Sequence, residues 1–322
     1  ASMLLTDIFA GLSVLSLFIL VLHRDRVSTS EKLLLFAFTT FASATHSATL
    51  AVLLGLVCAG WIVRPWQRAR IPVSGLLQGS LTIVASAAML LAANFALSGQ
   101  LAWTPGGYGV SFGRMLQDGI VARYLRDHCR EQRLKLCPYR NELPATADDF
   151  LWGHSIFNEL GRFQGMNDEM GFIVLHSLAE YPAWQAEAAI VATAQQLVDV
   201  ATGEGSDVWL PHTYGIIERY IPAQVAPMHA ARQQQRGIDF TAINWIHVPV
   251  ALLSILLVAA MLARDLWRRR LDDLTLLAPP VFLALLSNAF VCCAIPVPPD
   301  PHGPRLAWGA TFAALVAPFR RF

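Results

Sequence analysis

The chain has 322 residues, 55% of them hydrophobic and 15% charged, with a mean hydropathy of +0.45. Soluble domains carry about 25% charged residues, so this composition argues against an ordinary water-soluble enzyme and predicts an all-α, polytopic helical membrane protein. The net charge of +1, with bases in short clusters beside apolar runs, excludes a broad basic face for nucleic acid.

In chain order, apolar segments fall at 4–22, 33–63, 74–97, 246–263, 273–296 and 306–319, with a long, mostly polar insertion over 98–245. The chain opens Ala-Ser-Met without a charged leader or a small-residue cleavage site. It therefore reads either as starting at Met3 or as an N-terminally truncated fragment. Segment 33–63 is the ambiguous one, since a single helix of that length would measure about 46 Å against a hydrocarbon core of about 30 Å.

Basic residues decide between one span and two. They cluster at His23-Arg24-Asp25-Arg26 with Lys32, at Arg64, Arg68 and Arg70, at Arg264 with Arg268-Arg269-Arg270, and at Arg320-Arg321. A single span would put the first two clusters on opposite sides. A hairpin turning at Thr45-His46-Ser47 puts all four on the cytoplasmic side, and it is preferred although its first arm, 33–44, is short. About seven spans result, with the N-terminus, the insertion and the 297–305 loop outside. The expected organisation is membrane helices over 1–97, a helical extracytoplasmic domain over 98–245 and membrane helices over 246–322. A bacterial inner membrane suits this arrangement.

The insertion shows helical spacing and no strand alternation. Phe112, Leu116, Ile120 and Tyr124 recur at i, i+4, forming an apolar stripe. "TADDFLWGHSIFNELGRF" starts as a helix at Thr146, "NDEMGFIVLHSLAEYP" runs from Asn167 toward Pro182, and "AWQAEAAIVATAQQLVDVATGEG" continues to Gly203. A further helix is expected from Tyr214 to about Arg236, broken at Pro222 and Pro227. Cys58, Cys292 and Cys293 lie in apolar segments and read as small buried hydrophobes. Cys129 and Cys137 are the insertion's two cysteines, and three readings stand: a local disulfide, favoured outside the cytoplasm, free thiols, or a metal site with His128.

No Walker loop, dinucleotide fingerprint, HExxH or nucleophile elbow occurs. The candidate site residues are the polar groups expected on the outer face. Asp7, Asp148 and Asp149 are candidate catalytic carboxylates, and the Asp148-Asp149 pair is also a candidate divalent-metal ligand. His46, Arg114, His302 and Arg305 are candidate substrate-binding groups, the arginines for phosphate. Each has a plainer structural reading. Asp7 suits a solvated helix end, His46 a turn, Asp148-Asp149 a helix dipole, and Arg305 an interface anchor. Asn94 and Asn288 inside apolar segments are expected to hydrogen-bond between helices.

"TDIFAGL", the His46-Ser47 turn, "GRMLQDGIVARYLRDHC", "LCPYRNELPATADDFLWG", "LLSNAFVC" and "PDPHGPRLAW" together resemble a group of bacterial multi-span proteins similar to GT-C type glycosyltransferases. The resemblance implies transfer of a sugar from a polyprenyl-phosphate donor to a lipid or glycan acceptor at the outer leaflet. It also implies an external-loop acid upstream of Ala1. The family's Pro-His-Asp-Arg-Tyr type stretch stands here as "PPDPHGPR". The partners it implies are membrane lipid and a polyprenyl-phosphate-linked sugar. Two other classes are a non-catalytic membrane subunit whose cap binds a periplasmic partner, and a transporter of a lipid-linked substrate.

Overall fold

The computed structural model describes residues 8–104, 106–203, 217–232, 234–235, 238–268, 272, 275–294 and 304–317. Among these residues every regular element is a helix. The first four are α1 (Ile8–Leu22), α2 (Thr29–Ala44), α3 (Ser47–Val63) and α4 (Val73–Ser98). A group of smaller helices follows: α5 (Gly107–Gln117), α6 (Ile120–His128), α7 (Ala147–Leu151), α8 (Ile156–Glu159), α9 (Arg162–Glu180), α10 (Pro182–Val198) and α11 (Val225–His229). The chain closes with α12 (Thr241–Trp267), α13 (Ala278–Ala294) and α14 (Ala307–Val316).

The long apolar run folds as two antiparallel helices. α2 starts at Thr29, ahead of the apolar run, because Ser28 and Glu31 form a capping box: the Ser28 hydroxyl accepts from the Glu31 amide at 3.3 Å, and the Glu31 carboxylate accepts from the Ser28 amide at 2.7 Å. That lengthens the first arm to 16 residues. The helix stops at Thr45, His46 is extended (φ −151°, ψ 115°), and α3 begins at Ser47.

Side-chain contacts fix the directions. Phe9 meets Phe38 and Phe41 edge-on at 6.1 and 6.4 Å, placing the start of α1 beside the end of α2. Trp61 Nε1 donates to Ser80 Oγ at 3.1 Å, joining the end of α3 to the start of α4. The hydroxyls of Ser47 and Thr104 lie 3.3 Å apart, at the opposite end. Gly75 lets α4 press against α1, since a Cβ there would sit 2.0 Å from the Val21 carbonyl oxygen.

α12 and α13 join the four-helix group, with the end of α12 and the start of α13 beside Leu22, Val63 and Leu76. α14 begins at the other end, where Trp308 lies against Gly11. Arg24, Arg64, Arg68, Arg70 and Arg264 therefore share one end of the bundle, here called the basic end. The 45–46 turn and the cap helices occupy the other. Of the four clusters expected on one side, the described arginines share this end, while Arg269, Arg270, Arg320 and Arg321 lie outside the described residues.

α4 and α12 are each long and apolar enough to cross a membrane, with mean hydropathy 1.9 and 2.5 over their most apolar windows. Four shorter helices, Ile8–Leu22, Ser47–Val63, Ala278–Val291 and Ala307–Val316, are also apolar. Leu17, Leu50, Leu53, Val57, Val258 and Leu285 are central to the bundle core. Several buried hydroxyls of the bundle bond their own backbone: Thr39 of α2 to the Leu35 carbonyl at 2.7 Å, Ser86 of α4 to Thr82 at 2.7 Å and Ser254 of α12 to Val250 at 2.7 Å. Cys58 departs from the expectation of burial. It is exposed on α3, on a face no other described helix covers.

The cap has a core of its own. Phe112, Leu116, Ile120 and Tyr124 are all buried in it, so the apolar stripe is real, although it spans two helices. Gly119 (φ 75°) breaks the stripe into α5 and α6, a left-handed conformation that glycine adopts without strain. The expected helix from Thr146 is likewise two short ones. A Cβ at Gly153 would lie 2.6 Å from the Asp149 carbonyl oxygen, and the chain turns there. α9 begins at Arg162, ahead of Asn167-Asp168-Glu169, because Glu169 is used elsewhere: its carboxylate accepts from the amides of Lys135 and Leu136 at 2.7 and 3.0 Å. Cys129 and Cys137 are joined as a disulfide, with Cα atoms 5.5 Å apart.

α10 leaves this core. Its packing against α13 is the most extensive between any two described helices. Ala192 touches Ala48 of α3, Leu197 joins the bundle core, and Val200 packs with Ala251 and Ala307. α10 thus descends from the cap into the bundle wall. Asn244 then holds the returning chain, its side-chain amide exchanging hydrogen bonds with the Thr202 backbone at 2.8 and 2.9 Å.

Candidate functional site

At the cap end of the bundle, Arg305 comes from a single 3-10 turn (Pro304–Leu306) leading into α14. It is 7% exposed, and its Nε donates to Asn288 Oδ1 at 2.6 Å. Asn288, on α13, is 2% exposed, so the expected interhelical hydrogen bond is made, with an arginine as its partner. Gln196 of α10 lines the same small cavity as Asn288, among Leu197, Ile255 and Leu285. Three buried polar side chains thus meet where α10, α13 and the start of α14 join. Gln196 is not among the residues expected from the sequence, since an Ala-rich helix carries no apolar stripe to show which face is covered. His46 lies at the same end, half-buried in the turn before α3, two residues from the Ala48 that α10 touches.

The other candidates lie elsewhere. Arg114 on α5 is buried within the cap, and both its Nε and Nη2 donate to the Asp118 carboxylate at 2.7 Å. This bidentate pair neutralises the guanidinium locally, so it does not present an unpaired cation to a phosphate. Asp148 and Asp149 head α7 on the cap surface. Thr146 caps this helix, accepting from the Asp149 amide at 3.1 Å and donating to its carboxylate at 2.6 Å. Burial of its carboxyl, and secondarily the Asp149 charge, push Asp148 above the ordinary carboxylate value of 3.8. Among the described residues no three His, Cys, Asp or Glu side chains are grouped to hold a metal. Asp7 and His302 lie outside the described residues. Asn94 donates to the carbonyls of Ala102 and Trp103 at 2.8 and 3.1 Å, fastening the α4–α5 connection instead of bridging helices.

A second network locks the cap where α9 meets α10. Tyr181 donates its hydroxyl to Asp127 at 3.0 Å, Arg123 lies 4.1 Å above the Trp184 ring, and His128 Nε2 stands 3.3 Å from Glu180. Burial, then the hydrogen bond to Asp127, raise the Tyr181 phenol well above its ordinary range, so it stays a donor. The i, i+4 spacings Arg123/Asp127 and Tyr124/His128 carry the sequence signal for this cluster. At the basic end, Asp265 is 2% exposed and accepts from Thr275 Oγ1, with Arg264 Nη2 at 3.3 Å. The sequence marks this stretch, "LARDLWRRR", only by its basic cluster, and Asp265 carries no signal of its burial there.

No protein family matches the chain, and neither curated proteins nor solved structures yield a match.

Proposed function

We propose that the chain is a polytopic inner-membrane protein that transfers a sugar from a lipid-phosphate donor at the leaflet facing its cap, as its resemblance to GT-C type enzymes implies. Exposure supports the membrane part. Only 22% of the most apolar window of α4 and 17% of that of α12 is buried, with Leu77, Leu81, Leu253 and Leu256 turned outward. A core helix of a soluble protein would bury such residues, and lipid leaves them satisfied.

The buried Arg305, positioned by Asn288 at the cap end, carries the catalytic part. A buried cation at this end, away from the basic clusters of the other, suits a donor phosphate that leaves with negative charge. His46 lines the same end on this reading. Asp7, adjacent in sequence to α1, is the acceptor-activating carboxylate, because Asp148 and Asp149 head a helix in the cap.

The test is sugar transfer by the full chain in nanodiscs supplied with polyprenyl-phosphate-linked sugars. Arg305→Ala is expected to lower turnover about 10²- to 10³-fold, the usual effect of losing one charge-stabilising donor, with partial rescue by Arg305→Lys. Unchanged turnover in Arg305→Ala defeats the assignment. One observation favours a second reading, a non-catalytic subunit: Phe172, Leu175 and Leu178 form an exposed apolar stripe on α9. An inactive wild type that photo-crosslinks through position 175 to a membrane-bound partner would favour it.

A further inference from the structure

An apolar cleft of about 240 Å³ opens at the basic end between α1, α3, α12 and α13. Its walls include Phe18, Val57, Ala59, Leu262 and Pro279, and no wall residue carries a polar side chain. Water has no partner in such a space, so a hydrocarbon chain is the chemistry it accepts.

The rim has the opposite character. Wall residues Leu22, Val63, Ile71 and Leu266 lie within two residues of Arg24, Arg64, Arg70 and Arg268 in the chain. The described acids of this end are Asp25, Glu31, Asp265 and Asp272, and the last two face Arg264 at 3.3 and 3.5 Å. Glu31 is used in its own capping box. Arg64 is half-buried at the end of α3, and its Nε has no hydrogen-bond partner among the described residues. An apolar slot thus lies beside an excess of positive charge at the basic end of the bundle.

We propose that this cleft binds one acyl chain of an anionic glycerophospholipid, with the phosphate seated at Arg64. Basic pockets between membrane helices on the cytoplasmic side recognise such headgroups through charge, while the apolar wall holds the chain. The site is at the end opposite the proposed transfer site. It rests on the membrane-spanning reading and is independent of the transferase reading.

The test is native mass spectrometry of the full chain released from nanodiscs of equal phosphatidylglycerol and phosphatidylcholine. The wild type is expected to retain phosphatidylglycerol in preference. Arg64→Gln should cut that preference about fivefold, the worth of one basic residue at an anionic surface. Ala59→Trp, which fills the cleft, should abolish retention of both lipids, and Leu81→Trp, on the outer face of α4, should leave it unchanged. If Ala59→Trp does not fold, Val63→Trp obstructs the mouth to the same end. Equal retention of the two lipids by the wild type, or wild-type retention in the filled cleft, overturns the proposal. A wild type that washes from membranes at alkaline pH overturns the membrane reading with it, whereas absent sugar transfer overturns only the transferase.

Discussion

At Asp148 two influences oppose each other. The start of α7 favours a negative charge, while burial of the carboxyl and the neighbouring Asp149 disfavour it. Disfavour prevails, and the folded pKa lies above the unfolded value near 3.8. The folded cap therefore holds a proton that the unfolded chain has released over that interval, and stability declines as pH rises through it. Asp148→Asn is expected to raise the thermal midpoint slightly at neutral pH and to flatten its dependence from pH 4 upward, read by circular dichroism; an unchanged slope contradicts this. The Arg114–Asp118 pair was legible as an i, i+4 spacing, but its consequence was not. The sequence shows that an arginine is present, while only packing shows that its Nε and Nη2 are both engaged by Asp118. Arg305 is the converse case: nothing in "PPDPHGPRLAW" announces that its guanidinium turns inward to an asparagine seventeen residues earlier.

Among elements, close approach distinguishes the helices that hold the bundle together. Gly75 presses α4 onto the backbone of α1, and the Val21 carbonyl cannot yield as a side chain would. Gly75→Val is expected to destabilise the folded chain by about 1–3 kcal/mol or more, as overpacking does, seen as a lowered unfolding midpoint in detergent. Gly99→Ala offers a comparison, since nothing lies within 4 Å of its added Cβ and only its left-handed φ of 70° is affected. Helix existence was readable from apolar spacing. Helix ends were less so: the arm expected from 33 starts at Thr29 because of the local Ser28–Glu31 cap, and the start expected at Asn167 moves to Arg162, where Glu169 serves a distant backbone. The side of α10 that meets the bundle carries Ala192, Gln196 and Leu197 and is mostly small or polar, so no apolar stripe in the sequence marks this contact. Small side chains are what allow two helices to lie close over their length.

For the whole molecule, the shared end of Arg24, Arg64, Arg68 and Arg264 gives the proposed topology a direct check. In a chain lacking Cys58, Cys292 and Cys293, a cysteine replacing exposed Thr45 is expected to react with an impermeant thiol reagent in intact cells. One replacing exposed Ala69 should react only after permeabilisation. Labelling of both from the same side contradicts a hairpin that crosses the bilayer. The hairpin itself was legible because charge counting is a whole-chain argument and needs no contact. What joins His46, Gln196 and Arg305 at one end was not, since the three lie on segments separated by more than a hundred residues of sequence.

The docking of α10 on α13 also sets an order of events during synthesis. α10 is complete at Val198, while α13 begins at Ala278, about 80 residues later. At a translation rate of about 5–20 residues per second, α10 waits roughly 4–16 s before its main partner has even begun to emerge. Through that interval Ile190, Val191 and Val198, still exposed in the finished fold, are joined by the whole face that α13 will cover. The newborn cap must therefore be sheltered in time as well as in space, and the last third of the chain is what ends its wait.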